Sequence, residues 1–138
     1  MEEKLTRREV REGAFIILYQ TMFGQSVGEI TEADAEAFDL ARNSETDAIV
    51  HGVLAHDEEI TRIIAKYSTT RSVSRISKVN LVIMKIAIYE IKYNDKVPGA
   101  AAINEAVELG KKYAYKQDCG FINGVLNSYL EEYENDRD

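Results

Sequence analysis

The sequence predicts an all-α protein, with about seven helices in one compact, bundle-like domain spanning residues 1–138. Apolar residues recur at three- and four-residue steps along most of the chain. A single proline among 138 residues leaves little to break helices. With 45% apolar and 30% charged residues, the composition is that of a globular domain able to bury a core without disulfide or metal staples.

The first helix begins at a capping box. In residues 6–9 the Thr6 hydroxyl and the Glu9 carboxylate can satisfy amides left unpaired at a helix start. The helix is expected to continue to about Phe23, and Gly24 is placed to end it. One face carries the apolar stripe Val10, Ala14, Ile17, Leu18 and Thr21.

Two further helices are expected before residue 68. A short acidic helix begins at Thr31 and Asp34 and ends near Asn43. A longer helix begins at Ser44 and continues to Tyr67, with the stripe Ile49, Val53, Ile60, Ile64 and Tyr67. A polar interruption follows, and then one short helical turn at residues 73–76.

The segment Lys78–Tyr93 is predicted to be the buried central helix. It is apolar around most of its circumference, and its 16 residues exceed the length of a typical strand. Pro98 marks the next break, because it biases the residue before it toward an extended conformation. Helices at Gly99–Ala114 and Asp118–Tyr133 complete the set, and residues 134–138 are expected to fray.

The net charge of −7 is unevenly distributed. Residues 29–59 hold ten acidic side chains and one arginine, whereas residues 66–89 hold five basic side chains and no acidic one. Further basic clusters lie at residues 7–11 and 111–116. Such segregation can give an acidic protein a basic working face, the alternative being solvated helix faces that happen to differ in sign.

Catalytic and metal-binding patterns are not found, so the sequence predicts a binding protein without a cofactor. His51 and His56 are separated by about 140° around a helix, which disfavours a shared metal ion. A lone Cys119 excludes an intramolecular disulfide and agrees with a reducing compartment. With no apolar run of membrane-spanning length and no signal peptide, a cytoplasmic protein without a membrane partner is expected.

The first helix carries the most informative group. Arg8 and Tyr19 are separated by only about 20° around the helix axis, with Phe15 nearby. Arginines beside a tyrosine offer phosphate neutralisation and a flat surface for bases, which single-stranded RNA binding requires. The alternative is that Phe15 and Tyr19 belong to the core and the arginines merely flank a helix start.

Several motifs in order resemble the NusB family of bacterial transcription antitermination factors. The resemblance extends from about residue 7 to residue 130. Its motifs are Arg7-Arg8-x-x-Arg11-Glu12, Leu18-Tyr19-Gln20, the segment 84–91, Val97-Pro98, Ile-Asn-Glu-Ala-Val-Glu-Leu at 103–109, and Phe-Ile-Asn-Gly-Val-Leu at 121–126. The last two motifs are specific in combination, whereas the arginine cluster alone is not.

The resemblance implies a fold of two small helical bundles packed at a steep angle. It implies a non-enzymatic protein that binds the boxA element of ribosomal RNA leader transcripts as a heterodimer with NusE, a ribosomal small-subunit protein. That complex would help RNA polymerase read through terminators. The boxA sequence preferred and the NusE contacts stay open, although the acid-free segment 71–85 is favoured for NusE.

By position, the resemblance assigns RNA contacts to two groups of residues. The first group is Arg7, Arg8, Arg11 and Tyr19, and the second is Tyr113, Gln117 and Phe121 together with the basic cluster at Lys111. Two departures concern the second group, because the family often has Gly and Ser where this chain has Ala114 and Asp118. The added carboxylate is expected to reduce RNA affinity or change which nucleotide is tolerated.

Two other functions remain open from the sequence. The chain could be an RNA-binding module like that fused to ribosomal RNA cytosine methyltransferases, although it shows no glycine-rich cofactor loop of an α/β domain. It could also be a structural homodimer whose arginine face is buried between subunits.

Overall fold

The computed structural model describes residues 4–24 and 42–137, and all regular structure in that part of the chain is helical. This confirms the all-α prediction, while the acidic helix predicted to begin at Thr31 lies outside the described residues. The elements are α1 (Arg7–Thr21), α2 (Ser44–Ala55), α3 (Asp57–Tyr67), a 3-10 turn (Val73–Arg75), α4 (Lys78–Tyr93), α5 (Gly99–Tyr113) and α6 (Asp118–Arg137).

The chain divides into two compact units, with the boundary between Ala55 and His56. In unit 1, α1 packs against α2. The predicted stripe of α1 is buried except for Thr21, which is half-buried and donates its hydroxyl to the Leu18 carbonyl at 2.6 Å. From α2, the fully buried apolar residues are Val50 and Val53. The prediction of a single domain stays a prediction.

The predicted start of α1 is confirmed, whereas the helix ends at Thr21, two residues before the expected Phe23. The Thr6 hydroxyl accepts a hydrogen bond from the Glu9 amide at 3.1 Å, and the Glu9 carboxylate accepts one from the Thr6 amide at 2.9 Å. The hydrogen bond from the Thr6 amide to the carboxylate, with a smaller contribution from the Thr6 side chain, holds the pKa of Glu9 below its ordinary value. Past the helix end, Gly24 has φ of +92°, a left-handed conformation that glycine adopts without a steric penalty.

The prediction of one continuous helix from Ser44 to Tyr67 is wrong. The helical path breaks at His56, whose φ of −112° and ψ of 16° are not those of an α-helix. No glycine or proline marks this position, but the His56 ring stacks on the Tyr93 ring of α4 with centroids 4.0 Å apart. Three acidic residues, Asp57–Glu59, then begin α3, where the positive end of the helix dipole favours them.

In unit 2, α4 is the central element and contacts α3, α5 and α6. Ile83, Met84 and Ile88 are completely buried, which confirms the prediction of a buried central helix. The predicted fraying is wrong for residues 134–137, because α6 continues to Arg137. With 20 residues, α6 extends more than a turn beyond the expected end at Tyr133.

The capping box of α1 makes a testable contribution to stability. Thr6→Ala should lower the free energy of unfolding by about 1 kcal/mol, because one amide of the first turn loses its partner. Thr6→Ser keeps the hydroxyl and is the control. Because the pKa of Glu9 is lowered on folding, its contribution is present above pH 4.5 and is lost as pH falls through the folded-state pKa. Urea unfolding at neutral and acidic pH measures both effects, and equal midpoints for Thr6→Ala and wild type would contradict the assignment.

Candidate nucleic-acid interface

The predicted RNA contacts fall into both units and are described within each. Unit 1 supplies the α1 group, Arg7, Arg8, Arg11 and Tyr19. Unit 2 supplies the junction group, from the end of α5 to the start of α6: Lys111, Tyr113, Gln117 and Phe121.

The first two arginines of α1 are exposed. Arg7 lies 3.6 Å from Glu45 of α2, but both side chains are more than half exposed, so this pair holds the guanidinium only weakly. Arg8 is exposed, and the helical geometry places it on the same face as Tyr19, about 16 Å away along the axis. An anionic strand can therefore meet two cations at one end of α1 and an aromatic ring near the other.

Arg11 differs from the other arginines of α1 in its burial. Only 7% of its surface is exposed, although it lies one turn beyond Arg7. Arginines are rarely buried to this degree without a structural role in the folded chain. Its contribution to RNA binding stays a prediction.

Tyr19 lies between two other rings of the same face. Phe15 is buried and stacks on Tyr19 with centroids 6.0 Å apart, while the exposed Phe23 meets Tyr19 edge-on at 5.0 Å. The core interpretation therefore fits Phe15, whereas Tyr19 keeps part of its surface accessible. An aromatic ring held by two neighbours and partly open to solvent is a suitable platform for a base.

The junction group is gathered by a tight turn between α5 and α6. The Asp118 amide donates to the Tyr115 carbonyl at 2.9 Å, which closes the turn. Gly110 lets the helices approach closely, because a Cβ at this position would lie 3.3 Å from the Cys119 sulfur. Lys111 and Gln117 are exposed here, and the Tyr113 ring is half-buried.

Phe121 has a partner that sequence reasoning missed. The Arg71 guanidinium lies over the Phe121 ring, 4.3 Å from its centroid, and Nη2 donates to the Asp118 carboxylate at 3.0 Å. The Arg71 side chain is 35% exposed and that of Asp118 12%. The carboxylate expected to oppose RNA is thus already paired with a cation. Nothing in a single sequence indicates a contact across 47 residues.

A groove of about 330 Å³ lies beside this cluster. Its lining includes Phe121, Lys66 and Tyr67 from α3 with the following residues Thr69 and Thr70, and Gly120, Gly124, Val125 and Ser128 from α6. Lys66 donates to Glu132 at 2.7 Å, and the Tyr67 hydroxyl also donates to Glu132. These hydrogen bonds lower the pKa of the Glu132 carboxylate, and the bond that Lys66 donates to it raises the pKa of Lys66. The two hydrogen bonds to Glu132 also hold the side chains of Lys66 and Tyr67 in place along one wall of the groove.

Within residues 4–24 and 42–137, no group of three or more His, Cys, Asp or Glu side chains is placed to hold a metal ion. No helix in the same residues combines the length and the apolarity needed to cross a membrane.

The fold and these two groups of residues define a class, a small all-helical protein that presents arginines and half-exposed aromatic rings. The NusB family profile matches residues 8–131. The NusB antitermination protein of Acetivibrio thermocellus is 40% identical over 128 residues, covering 91% of this chain and 88% of the relative. That of Levilactobacillus brevis is 37% identical over 142 residues, covering 93% and 94%. This chain belongs to the NusB family of transcription antitermination proteins, which are not enzymes.

Solved structures agree with this assignment. NusB of T. maritima matches with a TM-score of 0.81 at 24% identity, covering 94% of each chain, which supports the NusB-like fold. A chain from a crystal structure of NusB and NusE in complex with double-stranded RNA matches with a TM-score of 0.79 at 26% identity. That match covers 92% of this chain and 97% of the other.

The exposure of Tyr19 can be tested by substitution. Tyr19→Ala should weaken RNA binding by about 1–3 kcal/mol if a base stacks on the ring, and Tyr19→Phe should have little effect. Because the ring is only half-buried, its removal should cost less stability than the about 3–5 kcal/mol of a core aromatic. RNA titration and urea unfolding measure the two effects. Unchanged RNA affinity with a large loss of stability would assign Tyr19 to the core.

Proposed function

We propose that this protein binds the boxA element of ribosomal RNA leader transcripts together with NusE. In the cytoplasm, the complex would help RNA polymerase read through terminators. The protein contributes a binding surface and no chemical step.

The observation that carries this proposal is the arrangement of α1. Two exposed arginines lie at its start, and the second of them, Arg8, lies in line with the half-exposed Tyr19, in a chain that belongs to an antitermination family. Arginines neutralise phosphates, and a ring can stack on a base regardless of its identity. The similar NusB chain that was crystallised with NusE and RNA supports the same partners.

We propose unpaired RNA as the ligand, although that similar chain was crystallised with double-stranded RNA. The rings of Tyr19 and Phe121 can stack only on bases that are free of a duplex. A duplex would instead be contacted through its phosphates and 2′-hydroxyls. Competition between single- and double-stranded forms of one boxA sequence therefore tests the role of the rings.

NusE is expected to add positive charge, of which this chain has little to offer an RNA strand. With a net charge of −7, the protein offers few phosphate contacts, and several basic side chains are already paired with acids. A basic partner beside the arginines would extend the positive surface. Antitermination would then depend on the heterodimer rather than on this chain alone.

The two other functions are less well supported. The relatives from A. thermocellus and L. brevis are antitermination proteins matched over nearly their full length, which disfavours a methyltransferase module. A homodimer that buries the arginine face would lose its exposed arginines on association. Light scattering with and without boxA RNA separates these cases, because RNA should dissociate such a dimer.

RNA binding should be electrostatic despite the acidic pI. Changing Arg7 and Arg8 to Ala should weaken binding and flatten the slope of log affinity against log salt by about 0.7 per lost phosphate contact. The matched control replaces Arg62 and Lys96 by Ala, which removes the same charge from two exposed positions outside the predicted site. If both double variants lose the same RNA affinity and show the same salt slope, net charge rather than the α1 site governs binding.

NusE should raise the affinity for boxA RNA. Labelled RNA is titrated with this protein, with NusE and with an equimolar mixture, and the mixture should bind more tightly than either protein. By linkage, RNA must tighten NusE binding by the same factor. A mixture no better than this chain alone would remove NusE from the mechanism.

A further inference from the structure

The groove between the end of α3 and α6 is separate from the α1 site and has a lining suited to binding a ligand. It combines the aromatic rings of Tyr67 and Phe121, the hydroxyls of Thr69 and Thr70, and the cation of Lys66. Its volume of about 330 Å³ is at the lower end of the range for small-molecule pockets, about 300–1,000 Å³. The groove therefore suits one small ligand group rather than a helix or a strand.

Arg71 gives the rim of this groove a fixed positive charge. It follows Thr70 in the chain and lies on the ring of Phe121, and both of those residues line the groove. The pair with Asp118 fixes the guanidinium while leaving 35% of the side chain exposed. An arginine that packs on a ring and donates to one carboxylate still has other N–H groups that can donate to a phosphate oxygen.

We propose that the groove binds one unpaired nucleotide of the RNA, with its base against Phe121 and its phosphate at Arg71. This inference rests on the proposed RNA-binding function and extends it from the predicted Phe121 to Arg71, Thr69 and Thr70, which the sequence did not assign to RNA. RNA is favoured as the occupant because the groove joins a stacking ring to cations, and because Phe121 belongs to the junction group. The hydroxyls of Thr69 and Thr70 can accept from or donate to base edges, so they give the subsite its base preference.

The floor of the groove can be filled without disturbing the fold. At Gly120 and at Gly124, an added Cβ would meet no atom within 4 Å, and neither residue has a positive φ. Leucine also favours a helix more than glycine does. Gly124→Leu should therefore occupy the groove and leave the unfolding temperature unchanged or raised.

The experiment compares Gly124→Leu with Asn127→Leu, an exposed position of α6 that does not line the groove. Single-stranded boxA RNA is titrated against each variant, with and without NusE. Gly124→Leu should bind about 10-fold more weakly under both conditions, and Asn127→Leu should bind like wild type. Arg71→Ala should in addition flatten the salt dependence by about 0.7.

Cross-linking locates the nucleotide directly. RNA containing 4-thiouridine is irradiated with the wild-type protein, and tryptic peptides are analysed for attached nucleotide. Modification is expected in peptide 67–71 or in the peptide that carries Phe121, and Gly124→Leu should abolish it.

The outcomes separate the subsite from the function. If wild type binds boxA RNA but Gly124→Leu binds equally well and cross-links as wild type does, the subsite is wrong and the proposed function stands. A loss seen only with NusE present would assign the groove to the protein partner and would also overturn the proposal. If wild type fails to bind RNA under either condition, the proposed function fails together with the subsite.

Discussion

The burial of α4 is the constraint on which the rest of unit 2 depends. Its fully buried Ile83, Met84 and Ile88 need apolar cover on several sides at once, and α3, α5 and α6 supply it. Truncating one such side chain to Ala typically costs about 2–5 kcal/mol, a large fraction of a domain's stability. Covering α4 brings the end of α3 beside the start of α6, and the groove and the Arg71–Phe121 contact lie there.

Local signals in the sequence were sufficient to predict where most of the helices begin and end. The capping box at Thr6, the left-handed Gly24 and the break before Pro98 each act within a few residues, so their effects could be predicted. The break at His56 could not be predicted, because the apolar stripe continues in phase through it. Its contact with Tyr93 lies far along the chain, and such tertiary contacts override local helix preference.

The charge pattern was only partly informative for a related reason. The acid-free segment 66–89 suggested a basic surface, yet acidic side chains from other elements reach it. Lys66 pairs with Glu132, Arg71 with Asp118, and Lys85 with Asp57 at 2.8 Å. Counting charges along a sequence therefore overestimates the free positive charge of unit 2. At the start of α1 the count is a better guide, since Arg7 and Arg8 remain exposed after folding.

Under the proposed function, Arg7 and Arg71 would offer a cation to an RNA strand in two different ways. The Arg7 side chain is more than half exposed and only weakly paired with Glu45, so its attraction for a phosphate would fall with added salt. Arg71 has already lost much of its freedom to Phe121 and Asp118, so little further side-chain entropy is lost on binding. Because the Asp118 carboxylate partly neutralises Arg71, the attraction between Arg71 and a phosphate is weaker than that of an unpaired arginine. An exposed arginine thus contributes mainly to attraction, whereas a tethered one contributes mainly to position.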